Sequence, residues 1–198
     1  MRRRDPDRRR RILAAAADLV SRRGFHAVAI GEIGAEAGIV GSGVYRHFAS
    51  KNDLLVALLD QAMQRLQNRA ATIVAQTEDD HVALSLLVRD HIRVALHDRD
   101  ILAVYHREAH SLPDADRRRL RREQRHYIEE WVGVLGPLRP DLGDGELRVL
   151  VHAAIGAVQA TLFHRSGLTE QRLAQLLDGA AHACLGVLPS PAPDVNAT

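Results

Sequence analysis

Apolar residues recur three and four positions apart along nearly the whole chain, and no stretch shows the sustained two-residue alternation of a strand. That rhythm restricts the 198-residue chain to an all-α fold. A chain of this size buries roughly 70% of its unfolded surface, so it needs no metal or disulfide to fold. Cys184 is the only cysteine, which excludes an intrachain disulfide framework and any cysteine-based zinc or iron–sulfur site. The longest uncharged apolar run, between Arg148 and Arg165, has 16 residues and carries His152, Gln159 and His164, too short and too polar for a membrane span. Asp18, Arg22 and Arg23 interrupt the Ala-rich stretch near the N-terminus, so no signal-peptide core follows the basic start. The expectation is a cytoplasmic protein with no membrane partner.

Turn and cap residues divide the rhythm into helices. Asp5-Pro6 opens one, with Asp5 as its N-cap, that runs to Arg23, buries Ile12, Ala16, Leu19 and Val20, and stops at Gly24. Ser50-Lys51-Asn52-Asp53 is a capping box for a long helix to about Ala75, with Leu55, Leu58, Leu59, Ala62, Met63, Leu66, Ala70 and Ile73 on its apolar face. Further helices are expected near 80–97, 100–111, 113–135, 145–166 and 169–187. Pro137, Pro140, Gly143 and Gly145 mark a loop, Gly167 ends the penultimate helix and Thr169 caps the last. The prolines after Leu188 predict a disordered tail over 188–198.

The most informative stretch is IGEIGAEAGIVGSGVYRHFASK, residues 30–51. Ile33 and Ala37 form one face of a two-turn helix, Gly34 leaves room for a close helix crossing, and Gly38 permits the left-handed turn that follows. A second short helix from about Gly41 buries Val44 and Phe48 and exposes Ser42, Tyr45, Arg46 and His47. This is the pattern of a helix-turn-helix whose second helix offers donors and a ring to a major groove. The charge distribution agrees. Residues 1–60 carry a net charge of +4 and the remainder −2, and residues 1–23 alone carry +6. Of 27 basic residues only Lys51 is a lysine.

Gly24-Phe25, Glu32-Ile33, Ala37-Gly38, the run Val44-Tyr45-Arg46-His47-Phe48-Ala49-Ser50-Lys51 and Asp53-Leu54-Leu55 together resemble the N-terminal domain of TetR-family transcriptional regulators, over roughly residues 8–60. The resemblance implies a three-helix DNA-binding domain over 1–50 with an Arg-rich arm. It implies a larger helical ligand-binding and dimerisation domain over 51–187. It also implies a ligand-responsive regulator, a repressor that grips a palindromic double-stranded operator as a homodimer and is released by a small-molecule inducer, with no cofactor. Tyr45, His47 and Lys51 would touch phosphates, Lys51 aided by the positive end of its helix. Ser42, Gly43 and Arg46 would face base edges, Arg46 as a bidentate partner of guanine. The helix from Lys51 would transmit ligand binding to the recognition helices. Two positions depart from the family pattern. Ile30 and Val40 stand where capping Ser or Thr is usual, a change worth roughly 1 kcal/mol at each helix start unless another group caps.

The resemblance also implies that the last two long helices of two subunits form a four-helix interface. Leu147, Leu150, Val151, Ala154, Ile155, Val158, Thr161, Leu162, Leu173, Leu177, Ala180, Cys184 and Val187 are compatible apolar positions, with Ala153, Gly156, Ala157 and Ala160 admitting close approach. The central helices hold a candidate apolar pocket with His91, Tyr105, His106, Tyr127, Trp131, Gln159 and Phe163 in its lining. Arg117, Arg118, Arg119, Arg121, Arg122 and Arg125 crowd one helix. A solvated face is the ordinary explanation; an anchor for a phosphate-bearing inducer such as a coenzyme A ester is the sharper one. The competing class is a helical metal-dependent enzyme, suggested by His106/His110 and the E-x-x-H pairs Glu78/His81 and Glu123/His126. It lacks any G-x-S-x-G, H-E-x-x-H or phosphate-loop motif.

Overall fold

The structure, a computed structural model, describes residues 6–190. They form nine α-helices and two 3-10 turns, with no strand among the described residues. The helices are α1 (Pro6–Arg23), α2 (Ile30–Glu36), α3 (Gly41–Val44), α4 (Lys51–Gln76), α5 (Asp80–His97), α6 (Arg99–Glu108), α7 (Asp114–Leu138), α8 (Asp144–Gln159) and α9 (Glu170–Leu185). The 3-10 turns, Ala109–Ser111 and Ala160–Phe163, extend α6 and α8. Asp5, expected to cap α1, lies outside the described residues.

By contact density the chain divides into two compact units, one of Met1–Gln64 with Arg99–Arg122 and the other of Arg65–Asp98 with Glu123–Thr198. The first holds α1 to α3, the start of α4, α6 and the start of α7. The second holds the rest of α4 and α7 with α5, α8 and α9. Each has its own apolar core. Ile12, Ile33, Leu54, Leu55, Leu58 and Leu59 are fully buried in the first, and Leu84, Leu87, Trp131, Leu135 and Leu185 in the second.

Most expected boundaries hold within two residues, and the exceptions have local causes. Pro137 does not punctuate a loop; it sits in the last turn of α7. A proline ring crowds the Cβ of the residue before it, and that residue is Gly136. The Arg139 amide then closes the turn on the carbonyls of Leu135, at 3.0 Å, and Gly136, at 3.1 Å. The penultimate helix does not reach Gly167; it tightens to a 3-10 turn and ends at Phe163. Ile73 and Leu19, expected on buried faces, are half-buried. The capping box forms as read, with the Asp53 amide donating to Ser50 Oγ at 3.0 Å, and Thr169 Oγ1 accepts from the Arg172 amide.

Candidate nucleic-acid interface and helical body

The helix-turn-helix is shaped by what cannot fit inside it. A Cβ on Gly34 would lie 3.0 Å from the Ile39 carbonyl oxygen and 3.1 Å from the Gly41 backbone. A Cβ on Gly41 would lie 3.2 Å from Gly31 Cα. Glycine therefore sets how closely α2 and α3 cross. Gly38 takes a φ of +70° to turn the chain between them. Gly41 is thus a packing residue, whereas Gly43, half-buried with ordinary contacts to Ile39, has room for a side chain.

The recognition helix is short, Gly41–Val44 followed by a turn, and buries Val44 and Phe48 as expected. Ser42, Arg46 and His47 are exposed, and Tyr45 is 55% exposed. Lys51 begins α4 half-buried, with Nζ 4.4 Å from the centre of the Phe25 ring and 3.4 Å from the His26 carbonyl oxygen. Burial lowers its pKa, while the carboxylates of Glu108 and Glu32 act in the opposite direction. Ser42, Tyr45, Arg46 and His47 are thus exposed on one short stretch of the first unit, and Lys51, a few residues on, is half-buried against Phe25 and His26.

Val40 makes no side-chain cap at the start of α3, and Ala29 none at the start of α2. At α2 another group substitutes. Glu32 reaches back to accept from the Ala29 amide at 2.7 Å, and its carboxylate also accepts from Arg23 at 2.6 Å. These bonds hold its carboxyl below the usual glutamate range, with the Arg23 hydrogen bond the larger cause. Glu three residues after the cap position was the sequence signal for this half of a capping box. Two other contacts were not legible at short range. Arg9 of α1 lies over the Phe48 ring, 5.1 Å from its centre, adding a guanidinium beside the recognition turn. Glu108, buried at the end of α6, accepts from the Phe25 amide at 2.9 Å.

In the second unit, the structure gathers four of the seven expected pocket residues. His91 is fully buried, its Nδ1 is 2.9 Å from the Tyr127 hydroxyl, and its Nε2 is 3.4 Å from Gln159 Nε2. The Trp131 ring meets both His91 and Tyr127 edge-on. Burial pushes the Tyr127 hydroxyl far above its ordinary pKa. The Trp131 indole N–H is buried without a hydrogen-bond partner of ordinary geometry. Tyr105 and His106 belong to the first unit and are half-buried and exposed, and Phe163 is 52% exposed.

The apolar positions of α8 divide into two sets. Leu147, Val151, Ala154, Ile155, Val158 and Leu162 are buried within the unit, so the large residues expected at a subunit interface form the protomer core instead. Val149, Ala153, Gly156 and Ala160 face outward, as do Leu176, Gly179, Ala180 and Ala183 of α9. Asp144–Phe163 is long and apolar enough to cross a membrane by length and composition, longer than the run read from the sequence. Its inward side packs against the rest of the unit.

The arginines of α7 differ in their contacts. Arg119 pairs with Asp60 through two hydrogen bonds, of 2.7 and 3.0 Å, and Arg117 pairs with Asp114. Arg118, Arg121, Arg122 and Arg125 are exposed at the i, i+3, i+4 and i+7 positions of one helix face. Among the described residues no three His, Cys, Asp or Glu side chains converge as metal donors.

A helix-turn-helix with an exposed, basic and aromatic recognition turn, carried on an all-helical body, defines a DNA-binding transcriptional regulator. Residues 12–58 match the family model of the tetR family of bacterial regulatory proteins, and residues 77–162 match a tetracyclin repressor-like C-terminal domain. The chain is 30% identical over 190 residues to the HTH-type transcriptional repressor KstR2 of Rhodococcus jostii, covering 88% of this chain and 91% of that one. The chain belongs to the TetR family. Its fold is that of a TetR-family regulator from Bordetella parapertussis, with a TM-score of 0.81, 22% identity and coverage of 94% and 100%. It also matches AibR, solved with isovaleryl coenzyme A and operator DNA, with a TM-score of 0.75, 20% identity and coverage of 87% and 96%. The metal-dependent enzyme alternative finds no support in these relatives.

Proposed function

We propose that this regulator represses transcription as a homodimer that reads a palindromic operator and is released by a small-molecule effector. The observation that carries the reading is the exposure of Tyr45, Arg46 and His47 beside Lys51, on a turn whose buried side is held by Val44 and Phe48. Arg46 is the base reader, with guanine its partner, and Ser42 and Gly43 lie along the same edge. Tyr45, His47 and Lys51 hold phosphates, joined by Arg9. Two copies place their recognition helices about 34–36 Å apart, one turn of the double helix. The outward face of α8 and α9 supports the dimer, because small residues there admit a second helix pair at close range.

The buried group of His91, Tyr127, Trp131 and Gln159 is the effector site in this reading. It is a buried cluster of rings with a few polar atoms among them, the mixture of side chains usual around a small ligand. The effector class is an acyl ester of coenzyme A. AibR was solved with such a ligand, and Arg125, exposed on α7 in the same unit as the buried cluster, is suited to a phosphate. α4 has residues in both units and gives effector binding a continuous path to Lys51.

The test is selection of fragments from the organism's own genome at physiological salt, with Tyr45→Ala and Arg46→Ala controls. Enrichment of one or a few palindromes, lost in both controls, is the expected result. Enrichment untouched by the controls would place the reading surface elsewhere.

A further inference from the structure

Val40 is a side chain that folding does not account for. It stands at the N-cap of α3 in extended backbone, and its carbonyl accepts from the Gly43 amide at 2.7 Å. Ser, Thr, Asp or Asn is favoured at such a position, because a side-chain oxygen takes one of the free amides of the first turn. Val40 makes no such bond. Nor is its side chain buried in exchange. It is 73% exposed, and among the described residues of the first unit the only other exposed large hydrophobic side chain is Tyr45. Both belong to the recognition turn.

The neighbours of Val40 narrow what can cover it. Gly41 packs against Gly31, and Gly43 brings no side chain although it has room for one. Residues 40–43 therefore present only two side chains, the isopropyl group of Val40 and the hydroxyl of Ser42, both exposed. Residues 37–52 contain no Asp or Glu, and they carry Arg46, His47 and Lys51. A surface without carboxylates and with cations beside it suits a polyanion. The N-terminal residues of a recognition helix are those that meet base edges in the major groove. The apolar group that B-DNA displays there is the C5 methyl of thymine.

We propose that Val40 is a specificity-determining residue that packs on the C5 methyl of a thymine in each half-site of the operator. This rests on the reading of α3 as the base-reading helix and adds a base to it. Ser42 both donates and accepts, so it tolerates either partner in a base pair. Discrimination at this end of α3 therefore falls to Val40, as it falls to Arg46 further along. The position exchanges a cap for a methyl contact, and the exchange has a signature. Val40→Ser restores the cap oxygen and removes the apolar surface, so it favours the fold and weakens the reading of thymine. A residue kept for packing would move the fold in the opposite direction.

The test lets the full chain select a sequence from randomised duplex DNA. Each thymine of that sequence is then replaced singly by uracil, which lacks only the methyl. Uracil at one position of each half-site should weaken the parent about fourfold, the worth of one buried methyl group, and should leave Val40→Ser unaffected. Val40→Ser should also select without preference for thymine there, with a Tm at or above the parent's. A selected sequence in which no uracil weakens the parent overturns the proposal. So does a Val40→Ser protein as sensitive to uracil as the parent, because another residue then meets the methyl, and so does a Val40→Ser protein with a lower Tm, because Val40 then serves the fold. In these three outcomes Arg46→Ala still loses the selected sequence, and the reading of α3 stands. No selected sequence, or one that Arg46→Ala selects equally, overturns that reading and this inference with it.

Discussion

The carboxylate of Glu108 accepts a hydrogen bond from the Phe25 amide at 2.9 Å across 83 positions of sequence, and it is 7% exposed. Phe25 follows the turn that ends α1, and its ring lies under Lys51. The end of α6 therefore holds the entry to the helix-turn-helix. Glu108→Ala leaves a buried amide unsatisfied, at a cost of about 1–3 kcal/mol, and lets the Phe25 and Lys51 pair shift. Denaturant unfolding should show that loss and operator binding should weaken with it. Glu108→Gln keeps an acceptor and should recover part of both. Equal behaviour of the two variants would mean the bond does not position the motif.

The α2–α3 crossing gives a sharper contrast. Gly34→Ala pushes a methyl against backbone at 3.0 and 3.1 Å, and backbone cannot swing aside as a flexible side chain can. A cost of about 1–3 kcal/mol and loss of operator binding are expected. Gly43→Ala meets only Ile39 side-chain atoms at 3.5 Å and beyond, so its thermal unfolding should match the parent. Any change in its operator preference then reports the base-reading edge and not the fold.

These two sites show what the sequence made legible. Helix rhythm, the Ser50 cap, the glycine at the crossing and the burial of Val44 and Phe48 follow from spacing and sterics within a few residues, and the structure has them. Contacts between distant segments follow no such local rule. Nothing near Phe25 announces Glu108, and nothing near Phe48 announces Arg9. The same limit explains the pocket residues. His91, Tyr127, Trp131 and Gln159 meet, whereas Tyr105 and His106 have the same chemistry but belong to the other unit. Composition cannot sort them. In α8 the period marked two apolar faces without telling which one the protomer keeps. Burial answers that, giving Leu147, Val151, Ala154, Ile155 and Val158 to the core and Val149, Ala153 and Gly156 to the surface.

Acid should loosen the start of α2. The Glu32 carboxyl is held below its ordinary 4.5 by Arg23 and by the Ala29 amide. A lowered carboxyl contributes stability that is fully present above the unfolded pKa and is lost as the pH falls through the folded value. Its contribution therefore fades below about pH 4.5. Glu32→Gln, which keeps an acceptor without the charge, should flatten the pH dependence of unfolding in that window. Parallel acid profiles for parent and variant would show that the cap carries no linkage.

Within the second unit, Tyr127→Phe removes the hydroxyl that His91 Nδ1 meets at 2.9 Å. Both groups are buried, so a loss of about 1–3 kcal/mol is expected. Replacing both, with His91→Leu and Tyr127→Phe, should cost less than the sum of the single changes, because the second removes a group already stranded. Effector binding separates structure from recognition. If the four residues form the effector site, Tyr127→Phe weakens the effector more than it weakens the operator, and equal weakening would reduce the cluster to a core network.

The outward face of α8 and α9 permits a test in which fold and assembly part company. A Cβ on Gly156 would have nothing within 4 Å in the protomer, and the same holds for Gly179. Arginine at either position leaves the protomer undisturbed, so circular dichroism should not change. If two copies pack these faces together, the same arginine drives a charged chain into a seam built for small residues, where burial without a partner is costly. Gly156→Arg should then sediment as a monomer of 21.9 kDa, at half the parent's mass. Operator affinity should fall steeply, because one recognition helix is left to hold one half-site, and a half-site fragment should bind parent and variant protomers alike. A Gly156→Arg protein that remains dimeric and keeps its operator would place the subunit interface on another face.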